Sequence, residues 1–153
     1  ILKLSTMMRY VVTESSHRWV PLQDEINYLK DYIAFQQLRL DKRIQLHFSV
    51  EGNAHDQQIA PLLLIPFIEN AFKYGVNPEE DSAIDIQLQV FDNYLKLLVK
   101  NNIVTMSNEY TAESGFGISN TQTRLASLYP NQHSLTLDDD GKTFHVQLLI
   151  QFT

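Results

Sequence analysis

Alternation of apolar side chains in two hairpin-like stretches limits what this chain can fold into more than any other feature. "AIDIQLQVF" (83–91) and "YLKLLVKN" (94–101) carry apolar side chains at alternate positions and are separated by the short "DN". "HSLTLDDDGKTFHVQLLIQF" (133–152) repeats the pattern around Asp140 and Gly141, residues that supply hairpin turn chemistry. Alternation of this kind describes strands with one buried face, and such a face needs a second layer to cover it. "RIQLHFSVE" (43–51) adds a further strand through Ile44, Leu46, Phe48 and Val50.

The cover comes from helices. In "RWVPLQDEINYLKDYIAFQQLRL" (18–40), Leu22, Ile26, Leu29, Ile33 and Leu40 mark one face. Pro21 suits a first helical turn there, and Asp24 and Glu25 suit its positive end, so a helix is predicted from about Pro21 to Leu40. "ILKLSTMMRYVV" (1–12) reads as the tail of another helix, and "GFGISNTQTRLASLYP" (115–130) turns helical after its glycines, with Pro130 beyond its end. The order helix, helix, strand, helix, strand, strand, helix, strand, strand predicts an α+β fold, a two-layer sandwich whose mixed sheet has helices on one face.

With 153 residues the chain suffices for one domain with a core. Its 12 basic and 18 acidic side chains leave a formal charge of -6, which argues against a nucleic-acid partner. There is no Cys, so disulfide frameworks and thiolate metal sites are excluded. The longest apolar run, "IAPLLLIPFI" (59–68), is too short to span a bilayer and holds two prolines. A start at Ile1, without a signal-peptide pattern, reads as a piece of a longer protein.

"IPFIENAFKYGV" (65–76) poses the functional question. On a helical wheel Ile65, Ile68 and Phe72 form an apolar stripe, with Glu69, Asn70 and Lys73 together beside it. A Glu69–Lys73 pair on a solvated face, worth about 0.3 kcal/mol, would be one explanation. The other begins at "SGFG" (114–117), where glycines opening a helix let backbone amides approach an anion. Neither a P-loop nor a Rossmann fingerprint is present.

The ordered set "PLLLIPFIENAFKYG" then "SGFGISNTQTRLASLYP" resembles the catalytic domain of LytS-type sensor histidine kinases, within the wider gyrase, Hsp chaperone, histidine kinase and MutL superfamily. The resemblance implies a Bergerat-type ATP-binding fold. It further implies that residues 1–20 end a dimerisation helix region and linker, and that 21–153 form the ATP-binding catalytic domain. In that pattern Asn70 takes the place of the magnesium-binding asparagine, which also suits an amide oxygen as a hard ligand. Lys73 takes that of the basic residue meeting the phosphates, and Tyr74 that of a His or aromatic. Glu69 matches the Glu-Asn pair, its role open between base, water-holder and partner of Lys73. Gly115, Phe116 and Gly117 match the second glycine motif, which would border the phosphates. Asn120 and Arg124 match the Asn and Arg-Leu of the following helix, where Arg124 either contacts phosphate or braces the helix. The stretch from about Ile103 to Ser114 would be a lid.

One departure stands out. Where the family commonly has Asp-x-Gly, with the Asp accepting from the adenine amino group, this chain reads "NNI", so Asn101 stands for the Asp. An amide still offers a carbonyl acceptor, without charge. Hydrolytic relatives carry a glutamate four residues before the asparagine, and that position is Pro66 here, so steady ATP hydrolysis is not expected. The five histidines, His17, His47, His55, His133 and His145, lack the context of the family's phosphoacceptor, expected upstream of Ile1, and their spacing suggests no metal site.

The resemblance thus implies a histidine kinase catalytic part that uses ATP and Mg, a homodimer in the full protein, a response regulator as partner, and a cytoplasmic location in an inner-membrane protein attached through the upstream region. The alternative is a degenerate module of the same fold acting in dimerisation or signal relay.

Overall fold

The computed structural model describes residues 2–77, 79–104 and 116–152. The chain runs α1 (Leu2–Glu14), β1 (Val20–Pro21), α2 (Leu22–Gln37), β2 (Ile44–Glu51), β3 (Gln58–Ile59), α3 (Ile65–Tyr74), β4 (Ser82–Val90), β5 (Tyr94–Asn102), α4 (Phe116–Leu128), β6 (His133–Asp139) and β7 (Thr143–Gln151). The main sheet has the order β2-β4-β5-β7-β6. β2 lies parallel to β4 and the remaining pairings are antiparallel, so the sheet is mixed.

Alternation decides which side chains the helices cover. Ile84, Ile86, Leu88 and Val90 of β4, Leu95, Leu97 and Val99 of β5, and Val146, Leu148 and Ile150 of β7 are all buried. They form one core with Ile26, Leu29 and Ile33 of α2, Phe67, Ile68 and Ala71 of α3, and Leu125 of α4. Each such Leu, Ile or Phe side chain contributes about 1.5–3 kcal/mol through burial. The expected α+β sandwich is the fold observed.

Two differences are local. α2 spans Leu22–Gln37, with Pro21 as its N-cap residue (φ -57°, ψ 135°), shorter at both ends than its apolar periodicity suggests. Val20 and Pro21 instead form β1, which pairs antiparallel with β3 through Val20 opposite Ile59. Strands of two residues carry no alternation and leave no periodic signal. Together they clip the start of α2 to the segment leading into α3, helped by the Leu22 N–H donating to the Gln57 carbonyl at 2.9 Å.

Candidate active site

α3 buries Ile65, Phe67, Ile68, Ala71 and Phe72 and leaves a polar edge. Asn70 on that edge is half-buried, and Lys73 is exposed. The pair considered from the sequence does not form: among the described residues no ion pair joins Glu69 to Lys73. Glu69 stands at the α2 side of the edge, close enough to the Tyr28 and Tyr32 hydroxyls to disfavour their ionisation. Partial burial holds its own carboxyl above the usual range. The Lys73 ammonium lies 5.8 Å from the centroid of the Tyr74 ring.

Across from α3, β5 delivers Asn101. The alternation that points Leu97 and Val99 at the helices points Asn101 the same way, and it is 1% exposed. Its neighbours in register are Ile84 of β4 and Phe144 of β7. The Asn101 amide nitrogen donates to the Asn102 carbonyl at 3.0 Å. That contact leaves Oδ1 as a buried acceptor with no hydrogen-bond partner among the described residues. Buried acceptors are nearly always paired, so this oxygen is available to a donor on a bound molecule.

Gly75, to which the sequence reading assigned no role, ends α3 against this residue. A Cβ added there would lie 2.5 Å from the Ala71 carbonyl oxygen and 2.9 Å from Asn101 Cβ. Its φ of -93° is available to any residue, so close approach and not backbone angle requires glycine. The exit of β5 is pinned by Ile103 N–H to the Lys142 carbonyl at 2.8 Å and by Val104 N–H to the Tyr74 carbonyl at 3.4 Å. The rest of the expected lid and Gly115 lie outside the described residues.

α4 begins at Phe116, and a Cβ on Gly117 would meet nothing within 4 Å among the described residues. Asn120 is exposed on the same helix. Arg124 reaches back to the segment before α3: Nη2 donates to the Pro61 carbonyl at 2.9 Å and Nη1 to the Leu62 carbonyl at 3.4 Å. Half-buried Asn70 and exposed Lys73 on α3, the buried amide oxygen of Asn101 at the end of β5 and the start of α4 are a set of groups whose chemistry suits a ligand bearing both an amino donor and anionic groups.

The histidine kinase family model matches residues 1–44. Over 106 residues, 69% of this chain, the sequence is 39% identical to the sensor protein kinase HptS of Staphylococcus aureus (strain USA300). The chain is a histidine kinase relative. It spans 20% of the length of HptS. Solved histidine kinases share the fold. The nucleotide-free catalytic domain of ThkA aligns with a TM-score of 0.59 at 15% identity, covering 87% of this chain and 95% of that one. The histidine kinase domain from Erythrobacter litoralis EL346 blue-light activated histidine kinase gives 0.61 at 13% identity, covering 97% and 71%. Full-length ShkA in complex with AMPPNP gives 0.63 at 13% identity, covering 99% and 35%. The two-layer architecture is therefore the catalytic-domain fold of histidine kinases. Among the described residues, no helix is long and apolar enough to cross a membrane.

Proposed function

We propose that this chain is the ATP-binding catalytic part of a two-component sensor histidine kinase of the LytS type. Residues 1–20 would close a dimerisation helix region and linker, and 21–153 would bind Mg-ATP and present its γ-phosphoryl group to a histidine upstream of Ile1. The full protein would be a homodimer that hands the phosphoryl group to a response regulator, attached to the inner membrane through its upstream region with this part in the cytoplasm.

The buried Oδ1 of Asn101, without a partner among the described residues, carries the reading, because it can accept from the exocyclic amino group of adenine. The phosphate end fits as well. Gly117 leaves room at the start of α4, where backbone N–H groups favour anions, and Lys73 is free of any ion pair among the described residues. Among the described residues no three His, Cys, Asp or Glu side chains could hold a metal ion by themselves. Magnesium would therefore be held mainly by phosphate oxygens, with the Asn70 amide oxygen as the protein's ligand. Bound Mg-ATP would supply the transferable phosphoryl group; the chain's own part is to orient the base through Asn101 and offset phosphate charge through Lys73 and α4. With Pro66 in the first turn of α3, no carboxylate stands there to activate water, in keeping with transfer over hydrolysis.

Titration with a fluorescent ATP analogue, with and without magnesium, tests the proposal. Saturable, magnesium-dependent binding that Asn70→Ala weakens is the expected result. Absence of binding at millimolar nucleotide would favour the second reading, a degenerate module in dimerisation or signal relay, which the replacement of the family's Asp by Asn101 motivates. Acid-labile label from labelled ATP, in a longer chain containing the upstream helix, then tests transfer itself.

A further inference from the structure

A chain of polar contacts outside the proposed nucleotide site joins α1 to the elements that build it. Tyr10 of α1 donates its hydroxyl to Oε2 of Glu25 on α2, and its ring stacks on Tyr28 with centroids 5.1 Å apart. Glu25 is only 2% exposed, unusual for a carboxylate in the first turn of a helix. Its other oxygen, Oε1, accepts the Leu62 N–H at 2.6 Å. Leu62 has φ 57°, a left-handed conformation that a leucine keeps only when its surroundings impose it.

Those surroundings are visible on every side. Arg124 holds the carbonyls of Pro61 and Leu62 from α4. The Tyr129 hydroxyl accepts the Ala60 N–H at 3.0 Å, and Tyr129 is itself 1% exposed. The turn so held leads into α3, which has no side-chain cap of its own at Leu64. The position of α3, and with it Asn70, thus depends on a strained turn fixed by α2 and α4.

We infer that Glu25 is a positioning residue for the nucleotide site: it fixes the Pro61–Leu62 turn that sets α3 against α4, and Tyr10 of α1 fixes Glu25. If α1 leaves, Oε2 of Glu25 stays buried without its donor, and a half-satisfied buried carboxylate no longer favours the same geometry. Glu25 touches no reacting group in this scheme; it acts through the turn. Burial raises its carboxyl above the usual range, while Tyr10, the Leu62 and Leu63 amides and Arg124 act against that rise, so each of these groups supports the ionised acceptor.

The inference rests on the nucleotide-binding reading, so its test has a readout independent of nucleotide. Tyr10→Phe deletes one hydroxyl, and Glu25→Gln keeps an acceptor for the Leu62 N–H. Amide exchange at Leu62 and Leu63 is compared with that of β4 and β5 in the nucleotide-free chain, and affinity for a fluorescent Mg-ATP analogue is measured in parallel. Tyr10→Phe is expected to speed exchange at Leu62 and Leu63 by about three- to tenfold and to weaken nucleotide by a similar factor, with β4 and β5 unchanged. Glu25→Gln should fall between wild type and Tyr10→Phe in both. Unchanged exchange at Leu62 and Leu63, equal acceleration throughout the sheet, or faster exchange with unaltered affinity would each overturn it. A wild-type chain that binds no nucleotide would sink the underlying reading instead, and the exchange comparison would still decide the Tyr10–Glu25–Leu62 link.

Discussion

Gly75 and Asn101 approach so closely that a single methyl group on Gly75 would lie 2.9 Å from the Cβ of Asn101 and 3.3 Å from its amide nitrogen. The end of α3 and the end of β5 are thereby held together at the place proposed for the base of a nucleotide.

Gly75→Ala is expected to lose about 1–3 kcal/mol of stability, because the added Cβ also meets the rigid Ala71 carbonyl oxygen at 2.5 Å. The strain is relieved most easily by moving Asn101, so nucleotide affinity should fall together with stability. Urea unfolding and analogue titration on the same variant check both. Wild-type values in both would show that α3 and β5 are not locked here.

Asn101→Asp restores the residue common in the family and is nevertheless expected to destabilise this chain. The Asn101 amide nitrogen donates to the Asn102 carbonyl at 3.0 Å, and an aspartate would set an oxygen against that carbonyl in a buried place. An unpaired buried polar group costs about 1–3 kcal/mol, more when charged. A drop of at least 1 kcal/mol in unfolding free energy is expected, with the new carboxyl holding its proton above the ordinary pKa of about 3.9. A neutral or stabilising Asn101→Asp would mean that the departure from the family is not supported by its neighbours.

The two-layer fold was readable because alternation in β4, β5 and β7 states directly which residues face the helices. The same parity put Asn101 inward, one step beyond Val99. Glu25 could not be read that way. In the sequence it is an acid in a first helical turn, and its burial comes from α1 and the Pro61–Leu62 turn closing over it. Arg124 found its partners more than sixty residues away, at Pro61 and Leu62, which no local pattern encodes. Helical spacing groups Glu69 with Lys73, yet in the fold Glu69 stands close enough to Tyr28 and Tyr32 of α2 to act on them. Gly75 followed an apolar helix and could have been noticed as a C-cap signal, although the close approach that requires it is tertiary.

Stability should decline as pH rises from the ordinary carboxylate range. Burial raises the carboxyls of Glu25 and Glu69, so the folded chain binds more protons than the unfolded one between about pH 4.3 and the raised values. Their contribution is complete below that interval and is lost as pH climbs through it. Asp140 acts oppositely. Hydrogen bonds from the Thr143 and Lys142 amides pull its carboxyl down to about 2, so what it contributes is present above about pH 3.8 and lost as pH falls toward 2. Urea unfolding across mildly acid to neutral pH should show the decline, and Glu69→Gln should flatten part of it. A steady rise in stability over the same range would contradict the assignment of these groups.

Arg124 separates bracing from phosphate binding. Arg124→Ala strips the carbonyls of Pro61 and Leu62 of their shared donor and releases one of the constraints on the left-handed Leu62, so about 1–3 kcal/mol of stability should go. Arg124→Lys supplies a single ammonium that cannot reproduce the planar fork, and only part of the loss should return. A phosphate ligand would behave otherwise: stability would hold, nucleotide affinity would fall, and the salt dependence of binding would weaken. The expected pattern is lower unfolding free energy with the salt dependence of binding preserved at temperatures where the variant is folded. Full stability with lost affinity would return Arg124 to the phosphates.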